Sequence, residues 1–217
     1  PDAPWEFYRR YDPDTLPMPL FRESDVATQN QISDAGVDFQ TRSHHPSHWG
    51  FPKITASYYG MIELIDEQFG RLLDHLEATG QRENTIVIFA SDHGETLGDH
   101  GLALKGCRFY EGLVRVPLMI SWPGHFEAGV ISDALVELTD IVPTLMDATG
   151  VPVPDDLHGE SLLPLLTGDV PAGEHREFVW SEFADCINLP DESRATMYRD
   201  RNWKLVVYHG NDIGELY

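Results

Sequence analysis

Between Thr55 and Gly80 the apolar residues Tyr58, Met61, Ile62, Ile65, Phe69, Leu72, Leu73 and Leu76 recur at intervals of three and four. That spacing predicts an amphipathic helix with one buried face. Thr55 or Ser57 would cap its start, and Gly80 in the left-handed conformation would end it. After a polar turn the pattern becomes an unbroken run, "TIVIFA" from Thr85 to Ala90. Its β-branched and aromatic residues predict a strand covered on both faces, as in a parallel sheet. A helix followed by a buried strand points to a layered α/β fold. "RVPLMISW", Arg115 to Trp122, predicts a second strand closed by Pro123-Gly124, and "LTDIVPTLMDATG" predicts a helix capped by Thr139 or Asp140 and stopped by Gly150. From about Pro171 the texture shifts to short alternating runs, "EFVWSEF", "RATMYR" and "WKLVVY", with the polar turn "DRN" between the last two. These predict a small antiparallel sheet. Residues 1–54, rich in proline, charge and aromatics, carry no sustained period and read as irregular connection. The chain thus divides into a connecting region at 1–54, an α/β region at 55–170 and the start of an antiparallel subdomain at 171–217.

With 217 residues, 41% of them hydrophobic, the chain can bury a substantial core. Its 36 acidic side chains outnumber 15 basic ones, for a formal charge of -21. Such a balance argues against nonspecific binding to nucleic acid or to an anionic membrane, and it requires a locally positive pocket for any anionic substrate. Two cysteines, Cys107 and Cys186, make neither a disulfide framework nor a zinc cluster of known spacing. The sequence opens on Pro1 without an initiator methionine, so it reads as a piece of a longer protein.

The candidate chemistry follows the first predicted strand. "SDHGETLGDHG", residues 91–101, sets Asp92 and His93 at the strand's carboxyl end, where ligands collect in open α/β sheets. A carboxylate and an imidazole on a glycine-permitted turn can both face one divalent cation, but two donors do not complete a site. Asp is also a common turn former after a strand, which is the plainer explanation of the pair. The continuation places Lys105 thirteen positions after Asp92, followed by "YEG", "RVP" and "WPG".

Together these motifs resemble the sulfatase family of the alkaline-phosphatase superfamily. "YYGMIELIDEQFGRLLDHLEATGQRENTIVIFASDHG" and "LVELTDIVPTLMDATGVPVPDDLHGESLLPLL" extend the resemblance over roughly residues 55–168, and "NWKLVVYHGNDIGELY" resembles the family's C-terminal antiparallel sheet. The resemblance implies an alkaline-phosphatase-like layered sheet with flanking helices, its N-terminal half outside this chain, plus the small antiparallel subdomain. It also implies that Asp92 and His93 are metal ligands and that Lys105 contacts the sulfate and the leaving-group oxygen. The implied metal is calcium, with manganese or magnesium as alternatives. The implied nucleophile is a formylglycine made from Cys or Ser in a motif like C/S-x-P-S-R, which neither Cys107 nor Cys186 occupies. An Asp-Asp pair and a P-H-x-P histidine, further parts of the family site, are likewise not among these residues.

Asp99 and His100 are read as shaping the loop, Asp140 as a helix cap, and Glu111 with Arg115 as a structural pair. His44, His45, His48 and Trp49 read as a polar surface loop. The expected function is that of part of a metal-dependent sulfuric ester hydrolase acting on a small-molecule or sugar sulfate ester, periplasmic or secreted. No nucleic-acid or membrane partner is expected, and exposed sheet surface leaves oligomerisation open. A phosphonate monoester or phosphodiester hydrolase of the same superfamily is the nearest alternative. A noncatalytic binding domain is the alternative of a different kind.

Overall fold

The computed structural model describes residues 2–37, 42–184 and 193–217. The chain forms two compact units: one takes in the chain up to Arg82 together with His93–Val116, and the other takes in Glu83–Asp92 and most of the chain from Pro117 onward.

In the first unit the opening region holds two helices, α1 (Trp5–Tyr8) and α2 (Glu23–Asp34), where the sequence reading had irregular connection. The Asp25 carboxylate accepts from Arg22 N (2.8 Å), tying down the start of α2. The residues that α2 buries are Gln29, Ile32 and Ser33. Two of those three are polar, so the helix carries no apolar stripe to betray it.

The long helix α3 runs over Phe51–Ala78. It starts ahead of Thr55 because Gly50 adopts the left-handed conformation (φ 61°) and Pro52 fits the first turn, where its missing N–H costs nothing. Thr55 is therefore buried inside the helix rather than capping it, and the Ser57 hydroxyl accepts from Ala3 N (3.0 Å). A Cβ on Gly60 would meet Ala3 Cβ at 3.0 Å and the Phe7 carbonyl carbon at 3.1 Å, so this glycine permits α1 to lie close against α3. Gly80 ends the segment at φ 68° as expected. The single buried face does not extend along the helix: Ile62, Ile65 and Leu72 are 51%, 55% and 63% exposed. Helix α4 (Glu111–Val114) follows in the same unit.

The second unit begins with β1 (Val87–Ala90), which pairs antiparallel with β2 (Leu118–Ser121) in the register Val87↔Ser121 through Ala90↔Leu118. This corrects the parallel pairing inferred from composition, since β-branched residues report a partly buried pleated surface and not strand direction. Next, a 3-10 turn at Leu138–Asp140 leads into α5 (Ile141–Thr149), closed by Gly150 at φ 71°, and α6 (Leu163–Thr167) follows. The remaining strands β3 (Phe178–Ala184), β4 (Arg194–Asp200), β5 (Lys204–Tyr208) and β6 (Gly214–Leu216) form an antiparallel sheet in sequential order. Ala195, Met197, Val206 and Tyr208 are its buried side. The "DRN" turn closes β4 on β5 as Asp200 accepts from Asn202 N and Trp203 N, both at 2.7 Å. The architecture is thus α/β, with helices and two antiparallel sheets.

Asp140 does more than cap. Fully buried, it accepts from Glu137 N and Glu160 N (each 2.8 Å), receives Arg176 Nη2, and lies 3.4 Å from His175 Nε2. Arg176 Nη1 also meets Glu137 Oε2 at 2.9 Å. The carboxylate closes the 3-10 turn ahead of α5 rather than capping α5 itself.

Candidate active-site loop

Strand β1 ends at Ala90, and Asp92 follows as an exposed residue of the same unit. The chain passes into the other unit between Asp92 and His93. His93 is exposed, and its Nδ1 lies 2.9 Å from Gly94 O. A carbonyl can only accept, so Nδ1 is the donor in this contact, which orients the ring.

The backbone after His93 is fixed with little tolerance. Gly94 N donates to Leu113 O (2.8 Å) and Glu95 N to Gly112 O (3.1 Å), laying this stretch against α4. A Cβ on Gly94 would stand 1.9 Å from Gly112 O, so no other residue fits without moving backbone. Thr96 is buried, and its hydroxyl is shared between Leu104 O (2.6 Å) and Leu102 O (2.9 Å), folding residues 97–104 into a closed loop. Within that loop Leu97, His100 and Leu104 adopt φ of 48°, 56° and 71°. Left-handed backbone is costly for residues with a Cβ, and it persists only where the surroundings impose it.

Lys105 follows directly. Its ammonium is half-exposed and lies 3.4 Å from Glu95 Oε2, while Glu95 itself is mostly buried and its Oε1 accepts from Thr96 N (3.0 Å). The sequence reading did not weigh Glu95. Its only signal was its place, two residues after His93 and ten before Lys105.

Asp99 and His100 shape the loop. The Asp99 carboxylate accepts from Leu20 N (2.7 Å), His100 N donates to Leu20 O (2.8 Å), and the His100 ring stacks on Tyr110 with centroids 4.0 Å apart. The segment after Lys105 is anchored from α2: Arg108 Nε donates to Gln29 Oε1 (2.9 Å), and Gln29 Nε2 meets Tyr110 Oη. All three residues are buried. Because α2 escaped sequence reading, so did this anchor. Among the histidines of the polar loop, His45 Nδ1 pairs with Ser47 Oγ (2.7 Å) and the His44 ring meets Trp49 edge-on. Cys107 is fully buried, and Cys186 lies outside the described residues. Among the described residues no three His, Cys, Asp or Glu side chains gather as a metal site would need. Nor is any described helix long and apolar enough to cross a membrane.

Residues 11–151 match the family model for sulfatases. The chain belongs to the sulfatase family. Residues 98–217 also match the model of the N-sulphoglucosamine sulphohydrolase C-terminal region. Among curated sulfatases, an arylsulfatase of Clostridium perfringens is 35% identical over 185 residues, covering 84% of this chain and 36% of that protein. An N-acetylglucosamine-6-O-sulfatase of Bacteroides thetaiotaomicron is 36% identical over 170 residues, covering 77% of this chain and 30% of that protein. Among solved structures, a phosphonate monoester hydrolase from Silicibacter pomeroyi matches 99% of this chain and 46% of its own with a TM-score of 0.84 at 27% identity. The phosphonate monoester hydrolase of Agrobacterium radiobacter does so over 99% and 47% with a TM-score of 0.81 at 30% identity. The chain therefore spans about a third of the length of these curated sulfatases.

Proposed function

We propose that this chain is part of a metal-dependent sulfuric ester hydrolase to which it contributes two metal ligands, Asp92 and His93, and one anion-binding cation, Lys105. The observation that carries the reading is the loop from His93 to Lys105: in a chain of the sulfatase family, a run of strained, closely anchored backbone ends on a half-exposed ammonium.

One carboxylate and one imidazole on consecutive residues suit a divalent cation, with further donors supplied from beyond these residues. Calcium is first by family resemblance, with manganese or magnesium as alternatives, and the imidazole favours manganese or another transition metal more than an all-oxygen site would. When bound, such an ion supplies Lewis-acid polarisation at a sulfate oxygen. Lys105 does the work that needs no metal: its N–H groups donate charge-assisted hydrogen bonds to the ester and stabilise negative charge developing on the leaving oxygen. The formylglycine nucleophile belongs to another part of the enzyme, since neither cysteine of this chain lies in a C/S-x-P-S-R motif. The substrate is a small-molecule or sugar sulfate ester, and the enzyme is periplasmic or secreted. Nucleic acid and membranes are not partners, in keeping with a formal charge of -21. The chain by itself binds metal weakly, hydrolyses nothing, and associates through exposed apolar surface.

The deciding experiment is turnover of p-nitrophenyl sulfate by the full-length enzyme with and without Lys105→Met. A sulfate ester hydrolase loses turnover with the lysine, and full activity in the variant rejects its assigned role. A phosphonate monoester or phosphodiester hydrolase is the second reading, favoured by the two phosphonate monoester hydrolases that match 99% of the chain. A higher kcat/KM for a phenylphosphonate monoester than for the sulfate would select it.

A further inference from the structure

Lys105 does not face its ligand as an isolated charge. Glu95 Oε2 stands 3.4 Å from the ammonium, and Glu95 is only 16% exposed against 45% for the lysine. The carboxylate cannot swing away freely, because its other oxygen accepts from Thr96 N at 3.0 Å and because Glu95 N is bonded to Gly112 O. Thr96 is itself clamped to Leu102 and Leu104. Cation and anion are thus built into one rigid loop, and their sum is close to zero.

We propose that Glu95 is a specificity-determining residue that tunes Lys105 to monoanionic esters, meaning sulfate monoesters, phosphonate monoesters and phosphate diesters, and against dianionic phosphate monoesters. This rests on Lys105 being the anion-binding cation. A fixed carboxylate beside that cation repels every anion, but it repels a dianion about twice as strongly, since Coulomb energy scales with the product of charges. Sulfate monoesters, phosphonate monoesters and phosphate diesters are all monoanions, so the pair accounts for one loop serving each class. Glu95 need not touch the substrate, and it also positions the ammonium.

The test uses the full-length enzyme with p-nitrophenyl sulfate, a phenylphosphonate monoester and p-nitrophenyl phosphate at a pH where the last is dianionic. Glu95→Gln keeps the acceptor for Thr96 N and removes only the charge. The expected result is a rise of about tenfold in kcat/KM for the dianion relative to the monoanions, the size of one added charge interaction near a protein surface. A purely structural residue would lower all three rates together and leave the ratio unchanged, and that outcome overturns the proposal. In the Lys105→Met background the same substitution should shift the ratio much less, because the pair acts as a unit. If Lys105→Met leaves all rates intact, the anion-binding role of the lysine fails and the inference falls with it. If Lys105→Met abolishes turnover while Glu95→Gln leaves the ratio unmoved, the inference alone fails. Glu95→Asp restores the charge and should restore the native ratio, which guards against misreading a folding defect.

Discussion

Two ion-pair systems in this chain have opposite designs. Around Asp140 the charges are buried and paired with one another, Arg176 Nε alone of that guanidinium lacking a hydrogen-bond partner among the described residues: the carboxylate holds two backbone N–H groups, Arg176 and His175, and Arg176 is shared with Glu137. Around Lys105 one partner is held fast in the loop and the other is left half in solvent. A closed network leaves no charge for a ligand and serves to hold elements together. The open pair keeps donors on the ammonium to spare. Counting which hydrogen-bonding positions remain available separates the structural aspartate from the lysine proposed to bind the anion better than residue type or nearness to a strand end does.

The contrast can be broken most severely at the closed network. Asp140→Ala leaves Arg176 with Glu137 alone and takes the acceptor from the N–H groups of Glu137 and Glu160, and should cost about 3–5 kcal/mol of stability, measured by denaturant unfolding of the full-length enzyme. An effect below about 1 kcal/mol, the range of surface pairs, would place Asp140 among them. At the open pair, Lys105→Met should leave unfolding nearly unchanged and lower kcat by about 10²–10³-fold, equivalent to about 2.7–4 kcal/mol of transition-state stabilisation. Matched losses of stability and activity in both variants would erase the distinction. Gly94→Ala tests the scaffold beneath the open pair. The 1.9 Å approach to Gly112 O forces a backbone shift, expected to cost about 1–3 kcal/mol in the unfolding midpoint and to lower turnover as well. Thr96→Val is the mildest of these changes. Losing the hydroxyl that bridges Leu102 O and Leu104 O should cost about 1–2 kcal/mol and speed proteolysis within residues 97–104.

The sequence was legible where chemistry and local geometry coincide. "DHG" at a strand end, Gly80 and Gly150 as helix stops, and the alternating strands after Pro171 each follow from a local rule, and the structure has all of them in place. Strand direction was not legible, because β1 would have the same composition in either pairing. The start of α3 was misplaced, since Thr55 looks like a cap until Gly50 and Pro52 are seen to begin the helix. Helix α2 went unread because its buried residues are largely polar, and with it went the Gln29 anchor of Arg108 and Tyr110. Asp140 was read as half of what it is: its cap-like spacing is local, but Arg176 and Glu160 reach it from 36 and 20 residues away. Glu95 and Lys105 are ten positions apart in no regular element and meet only because Thr96 turns the chain back on itself.

The Thr96 clamp also sets what evolution can do here. Its hydroxyl grips carbonyls six and eight residues ahead, so the number of residues between grip and lysine is fixed even where their side chains are not. Swapping one apolar residue for another inside the loop is an affordable experiment for a lineage. Adding or deleting one residue is not, since it would carry the ammonium off its partner in a single step.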